Sequence, residues 1–181
     1  MPCSAILAIE LALSRPDLVR SAVLMAGGGR LRAFQRWLYE DVAELMARGA
    51  SDPRASEVAQ ALYALVSFTP MELADDRVIA PMLDAMRSAR APSSDTRPAP
   101  SRQARPPDEA YAYLDSLGAL RTPCLVMGFE LDLYAFAASC RELAEAIPGA
   151  RYVEIAGAGH TGTDTHTDEV FGHLLAFLAE S

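Results

Sequence analysis

Thr122-Pro123-Cys124-Leu125-Val126-Met127-Gly128-Phe129-Glu130-Leu131-Asp132 is the stretch that decides the fold. Its centre, Cys124 to Gly128, is a short apolar run closed by glycine, the pattern of a strand buried on both faces. Downstream, Leu143 to Ile147 belongs to a helix that stops at Pro148-Gly149. Arg151-Tyr152-Val153-Glu154-Ile155 is another strand, followed at once by Gly157-Ala158-Gly159-His160. Upstream, Ser21 to Ala26 repeats the apolar run and ends in Gly27-Gly28-Gly29. Strands alternating with helices predict an α/β fold, a short parallel sheet of three strands covered on both faces.

Around that frame, Ser4 to Leu13 is apolar on almost every side and predicts a helix buried nearly all round, ending where Pro16 disfavours helical geometry at Arg15. From Leu31 to about Arg90 the pattern is helical. Phe34, Trp37, Leu38, Val42, Leu45 and Met46 recur at three- and four-residue spacings, and Val58 to Phe68 and Val78 to Met86 repeat the habit. Ala91 to Pro107, rich in Pro, Ser and Arg, predicts a mobile loop. Asp108 to Leu120 returns to helix, with Tyr111, Leu114 and Leu117 on one side. Asp168 to Ala179 closes the chain as an amphipathic helix with Val170, Phe171, Leu174, Leu175 and Leu178 facing inward. The expected organisation is a core of residues 1–30 and 108–181, with 31–107 inserted as a helical lid whose Pro-rich loop spans 91–107.

Composition narrows the function. The chain has 181 residues, 51% hydrophobic, with a formal net charge of −8. That length suits one domain carrying an insertion. The acidic balance argues against nucleic acid and anionic lipid as partners. No apolar run approaches the ~20 residues that span a bilayer. All 16 basic residues are arginine, which reads as the coding bias of a GC-rich bacterial genome. Cys3, Cys124 and Cys140 are an odd set without metal-like spacing, expected as free thiols in a cytoplasmic protein, Cys124 being a core residue. Asp164, His166, Asp168 and His173 form no compact ligand set, so neither metal nor cofactor is expected. Gly27-Gly28-Gly29-Arg30 is read as a hinge into the helical interval rather than an anion cradle.

Ligands of parallel α/β sheets bind outside the carboxyl ends of the strands. Asp132 and His160 both fall at such ends, 28 residues apart, one strand–helix–strand unit. Adjacent strands would bring them to the same rim, where an acid can fix the tautomer of a histidine and stabilise its imidazolium form. Glu130 is the alternative acid.

At these residues the sequence resembles the α/β-hydrolase superfamily. The resemblance runs through Ala5 to Leu13 and Arg15 to Leu24, the family's helix behind the nucleophile elbow and the following strand. It resumes at Thr122 to Asp132, the acid-bearing strand, and ends with Ile147 to Ile155 and Gly157-Ala158-Gly159-His160, the catalytic-histidine segment. It implies a partial α/β-hydrolase fold, Asp132 as triad acid, His160 as triad base and a lid in the helical interval. The sequence departs from the family at the nucleophile. No Gly-x-Ser-x-Gly occurs, and the position where the serine should fall is near Pro2. Cys3 and Ser4 are the candidates for a substitute nucleophile, Ser4 also for a plain helix cap. Missing too is the loop that supplies the second oxyanion donor, whose loss alone costs roughly 10²–10³ in rate.

The resemblance therefore implies a truncated family member, ancestrally cleaving a small ester, lactone or thioester through a serine, and weakly active or inactive as it stands. Phe34, Trp37, Tyr39 and Met46 are candidate pocket residues, with helix packing as the plainer reading. Two other classes stay open: a non-catalytic module binding a ligand or partner, and a cofactor-free lyase or cyclase using His160 as base. The first strand, lacking an upstream neighbour, would be an exposed edge through which the chain self-associates.

Overall fold

The computed structural model describes residues 3–49, 51–88 and 112–181. The proline-rich stretch at 91–107 lies outside them, as does Tyr111. The elements run α1 (Cys3–Ser14), β1 (Ala22–Met25), α2 (Ala33–Arg48), α3 (Pro53–Ser67), α4 (Pro70–Ala74), α5 (Asp76–Ser88) and a 3₁₀ helix (Ala112–Ala119). β2 (Cys124–Phe129), α6 (Ala137–Ala146), β3 (Arg151–Ile155), α7 (Gly162–Thr165) and α8 (Thr167–Glu180) follow.

The three strands form one parallel sheet in the order β1-β2-β3. All six residues of the central strand are buried. Their alternation sorts them into two layers, since successive side chains of a strand point to opposite faces. Cys124 and Val126 pack with Ala5, Ile9 and Ala12 of α1, Leu143 of α6 and Leu117 of the 3₁₀ helix. Leu125, Met127 and Phe129 pack on the other face with Ile155, Val170 and Phe177, the last two from α8. Helices on both faces explain why β1 and β2 read as unbroken apolar runs, whereas the less buried β3 carries Arg151 and Glu154.

Two helices are less covered than their composition suggests. α1 buries Ala5, Ile9 and Ala12, but Leu7 and Leu11 are about half exposed (53% and 47%). It therefore covers the sheet with one stripe and is not enclosed. α8 buries Val170 and Phe177, whereas Phe171, Leu175 and Leu178, expected inward, face outward. Apolar residues encircle more of this helix than the narrow stripe needed to cover β3, and the sheet takes only that stripe. The helix expected before β2 is a 3₁₀ helix over Ala112–Ala119 among the described residues, with Tyr113 and Leu117 buried.

The glycines after β1 are a packed turn rather than a hinge. Gly28 has φ +84°, a conformation costly for residues with a Cβ. A Cβ on Gly29 would lie 2.2 Å from the Ser139 carbonyl oxygen. The Gly28 carbonyl accepts a 2.7 Å hydrogen bond from the buried Tyr113 hydroxyl.

The helices between β1 and the 3₁₀ helix gather around small apolar clusters of their own. Leu38 and Tyr39 of α2 meet Val66 of α3 and Tyr134 from the loop after β2. Ala64, Phe68 and Ile79 form a second cluster. The turn from α3 into α4 is set by a capping box. The Thr69 hydroxyl accepts from Glu72 N at 3.2 Å, and the Glu72 carboxylate accepts from Thr69 N at 2.7 Å.

Candidate active site

The site grows from the carboxyl ends of β2 and β3. The two strands stay in register through Phe129 and Ile155, and their pairing continues into the loops. Glu130 N donates to the Ile155 carbonyl at 3.1 Å and Leu131 N to the Ala158 carbonyl at 2.9 Å. This prolonged ladder carries Asp132 and His160, from separate loops, to one point. His160 Nδ1 lies 2.8 Å from Asp132 Oδ2.

The acid is fixed independently of the histidine. Its Oδ1 accepts from Tyr134 N and Ala135 N, both at 2.7 Å. The Asp132 side chain is wholly buried, while that of His160 retains 15% exposure. A buried carboxylate with both oxygens bonded can accept Nδ1–H, the tautomer that leaves Nε2 able to take a proton. Tyr134 also lays its ring against the imidazole, 4.6 Å between centroids, and Tyr63 of α3 approaches it edge-on at 6.5 Å.

Glu130 has another task. Its carboxylate accepts from Gly157 N at 2.8 Å and so ties the two loops together, while Asp132 holds the histidine. Gly159 is hemmed in from the other side. A Cβ there would sit 2.7 Å from the Ser67 carbonyl oxygen and 3.2 Å from Thr69 Cγ2. The same carbonyl accepts from Thr161 N at 3.4 Å. The end of α3 thus braces the histidine loop.

Ser4 lies exposed within the first turn of α1, inside the helix rather than ahead of it as a cap; the side chain of Cys3 lies outside the described residues. A Cβ on Gly28, just past the end of β1, would lie 3.2 Å from Ala5 Cβ and 3.3 Å from Ile9 Cδ1, so α1 begins at the rim where the strands end. Cys124 and Cys140 are no substitutes. Burial pushes their thiols up to about 11 and about 12, the charges of Asp132 and Glu154 adding to the rise at Cys140. His166 pairs with its neighbour Thr165 at 3.0 Å. Among the described residues no group of three or more His, Cys, Asp or Glu is placed to hold a metal ion.

Two of the aromatic residues singled out on α2, Phe34 and Trp37, face away from this centre. Trp37 is 60% exposed, and Phe34, 41% exposed, stacks on Phe136. The Met46 side chain lies outside the described residues. The opposite face of α2 reaches the site. The Gln35 amide donates to the Tyr134 carbonyl at 2.9 Å and the Tyr39 hydroxyl to the same oxygen at 2.6 Å. Gln35 and Tyr63 were missed in the sequence, where Tyr39 was weighed only as a pocket residue. The one signal for Gln35 is its place four residues before Tyr39 on an otherwise apolar helix stripe.

A parallel sheet whose successive strand tips present a bonded carboxylate and a histidine is the arrangement of one large enzyme class. The chain belongs to the alpha/beta hydrolase fold family, whose model matches residues 4–167. It is 30% identical over 175 residues to a Mycobacterium tuberculosis protein that bears the name non-heme bromoperoxidase BpoC. The solved structure of BpoC from strain H37Rv superposes with a TM-score of 0.77 at 29% identity, over 97% of this chain and 63% of that one. The enol-lactonase of Burkholderia xenovorans LB400 shares the fold, with a TM-score of 0.69 at 22% identity, over 99% of this chain and 64% of that one. The chain spans 64% of the length of the curated Mycobacterium tuberculosis relatives it matches. Among the described residues no helix is long and apolar enough to cross a membrane.

Proposed function

We propose that Asp132 and His160 are the acid and base of a Ser-His-Asp hydrolase acting on a small ester, lactone or thioester. The observation that carries this reading is the 2.8 Å contact between Nδ1 and a carboxylate already held by two main-chain donors. In that arrangement His160 Nε2 takes the proton of an attacking hydroxyl and returns it to the leaving group. Asp132 holds the tautomer and stabilises the imidazolium that forms. The serine, in this reading, belongs to the strand and turn that the family places ahead of α1, and this chain supplies the other two members.

The test is hydrolysis of p-nitrophenyl acetate by the product of the coding sequence taken upstream of Met1. An in-frame Gly-x-Ser-x-Gly is expected there, with turnover that collapses on His160→Ala. Turnover indifferent to both His160→Ala and Asp132→Asn would sink the reading.

One observation favours a second reading, a lyase or cyclase in which His160 acts directly as base: the dyad is complete while the sequence has no nucleophile elbow. Its mark is turnover that depends on His160, survives loss of both Cys3 and Ser4, and resists a fluorophosphonate that captures active serines.

A further inference from the structure

We propose that Gln35 and Tyr39 are positioning residues for Asp132, through which α2 clamps the turn that holds the acid. The proposal rests on the reading of Asp132 and His160 as the acid–base pair.

The connection runs through a single peptide group. The carbonyl of Tyr134 and the N–H of Ala135 belong to one planar unit and point in opposite directions. The N–H donates to Asp132 Oδ1 at 2.7 Å. The carbonyl accepts from Gln35 Nε2 at 2.9 Å and from the Tyr39 hydroxyl at 2.6 Å. Because the unit is rigid, holding its oxygen fixes the direction of its N–H. Two donors on that oxygen also polarise the N–H outward and strengthen its bond to the carboxylate, since linked hydrogen bonds reinforce one another.

The donors are themselves held. Gln35 is 1% exposed, and its Oε1 accepts from Arg32 N at 2.9 Å, which leaves Nε2 as the end facing Tyr134. Tyr39 is buried, with its ring 4.6 Å from that of Tyr134. A glutamine wholly buried on a helix face is costly unless fully bonded. Both of its polar ends here serve the helix start and the acid turn. The chain of contacts is α2 donors, peptide 134–135, Asp132, His160. Any displacement of α2 is transmitted along it to the imidazole.

The experiment reads the Nδ1–H proton of His160 by ¹⁵N-edited NMR in the intact chain. Asp132→Asn is expected to abolish its downfield, slowly exchanging resonance, and Ser139→Ala to leave it in place. Ser139→Ala removes a hydrogen bond to the Arg30 carbonyl away from the pair. Gln35→Met with Tyr39→Phe is expected to move the resonance upfield and speed its exchange at least ~10-fold, with the far-ultraviolet spectrum unchanged. Should the double variant fail to fold, Tyr39→Phe alone, which keeps the ring, is expected to give a smaller shift of the same sign. Folded clamp variants with the parent resonance and exchange rate would overturn the proposal while leaving the pair standing. If the clamp variants move the resonance but ester hydrolysis ignores His160→Ala, the clamp stands and the catalytic reading falls.

Discussion

At Asp132 one oxygen is given to the main chain and the other to the imidazole, so each atom of the carboxylate has a separate consequence. Asp132→Asn keeps the shape but replaces one acceptor with a donor. In an active enzyme it is expected to lower kcat by roughly 10³–10⁴ with little change in KM, because the wrong tautomer of His160 is then favoured. Glu130→Gln keeps an oxygen acceptor for Gly157 N and is expected to leave turnover within a few-fold of the parent. That contrast separates two carboxylates between which the sequence preferred Asp132 only on the family's register. The choice between them depends on where each side chain turns after the strand ends, which residue spacing does not encode.

The two buried thiols give a pH prediction at the same scale. Burial disfavours the thiolate, raising both values. At pH 8, with Cys124 at about 11, roughly one thiol in 10³ is ionised. Iodoacetamide is therefore expected to leave Cys124 and Cys140 unlabelled in the folded protein, and to label both once it is denatured. Mass spectrometry of the digested chain reads this directly, and fast labelling of either thiol in the native state would contradict the burial.

Among the elements, the junction between α3 and α4 is where the helical interval meets the histidine loop. Gly159→Ala would force a Cβ to 2.7 Å from the Ser67 carbonyl oxygen. Backbone on both sides leaves little room to yield, so a loss of about 1–3 kcal/mol is expected, read as a lower denaturation midpoint. Thr69→Ala removes the hydroxyl half of the capping box and is expected to cost about 1 kcal/mol.

The elements also show what periodicity can carry. All three strands were legible: β1 and the fully buried β2 as unbroken apolar runs, and the partly buried β3 at the bounds it adopts, Arg151–Ile155. The faces of α1 and α8 were not legible. An apolar pattern states which residues avoid water, not whether a neighbour exists to cover them, and Leu7, Leu11, Phe171 and Leu175 have no such cover. That an acid at the tip of β2 meets His160 could be read from topology, and the family's register pointed to Asp132. Gln35 could not, because a single glutamine in a helix stripe has no period.

For the molecule as a whole, these uncovered faces have a physical consequence. β1 pairs only with β2 among the described residues, and no described strand lies on its other edge. Apolar side chains of α1 and α8 add exposed area of the kind that drives association. The isolated chain is expected to self-associate, with a sedimentation coefficient that rises with protein concentration. A monodisperse monomer that melts cooperatively would argue against the open-edge reading.

The loop at Pro148-Gly149 is exposed, Gly149 has φ +75°, and a side chain there would touch nothing within 4 Å. What unites acid and base is lateral bonding between neighbouring strands and their tips, not the covalent thread that joins them through α6. A circular permutant opened at 148–149 should accordingly retain the dyad: new termini can be installed between the two partners without separating them.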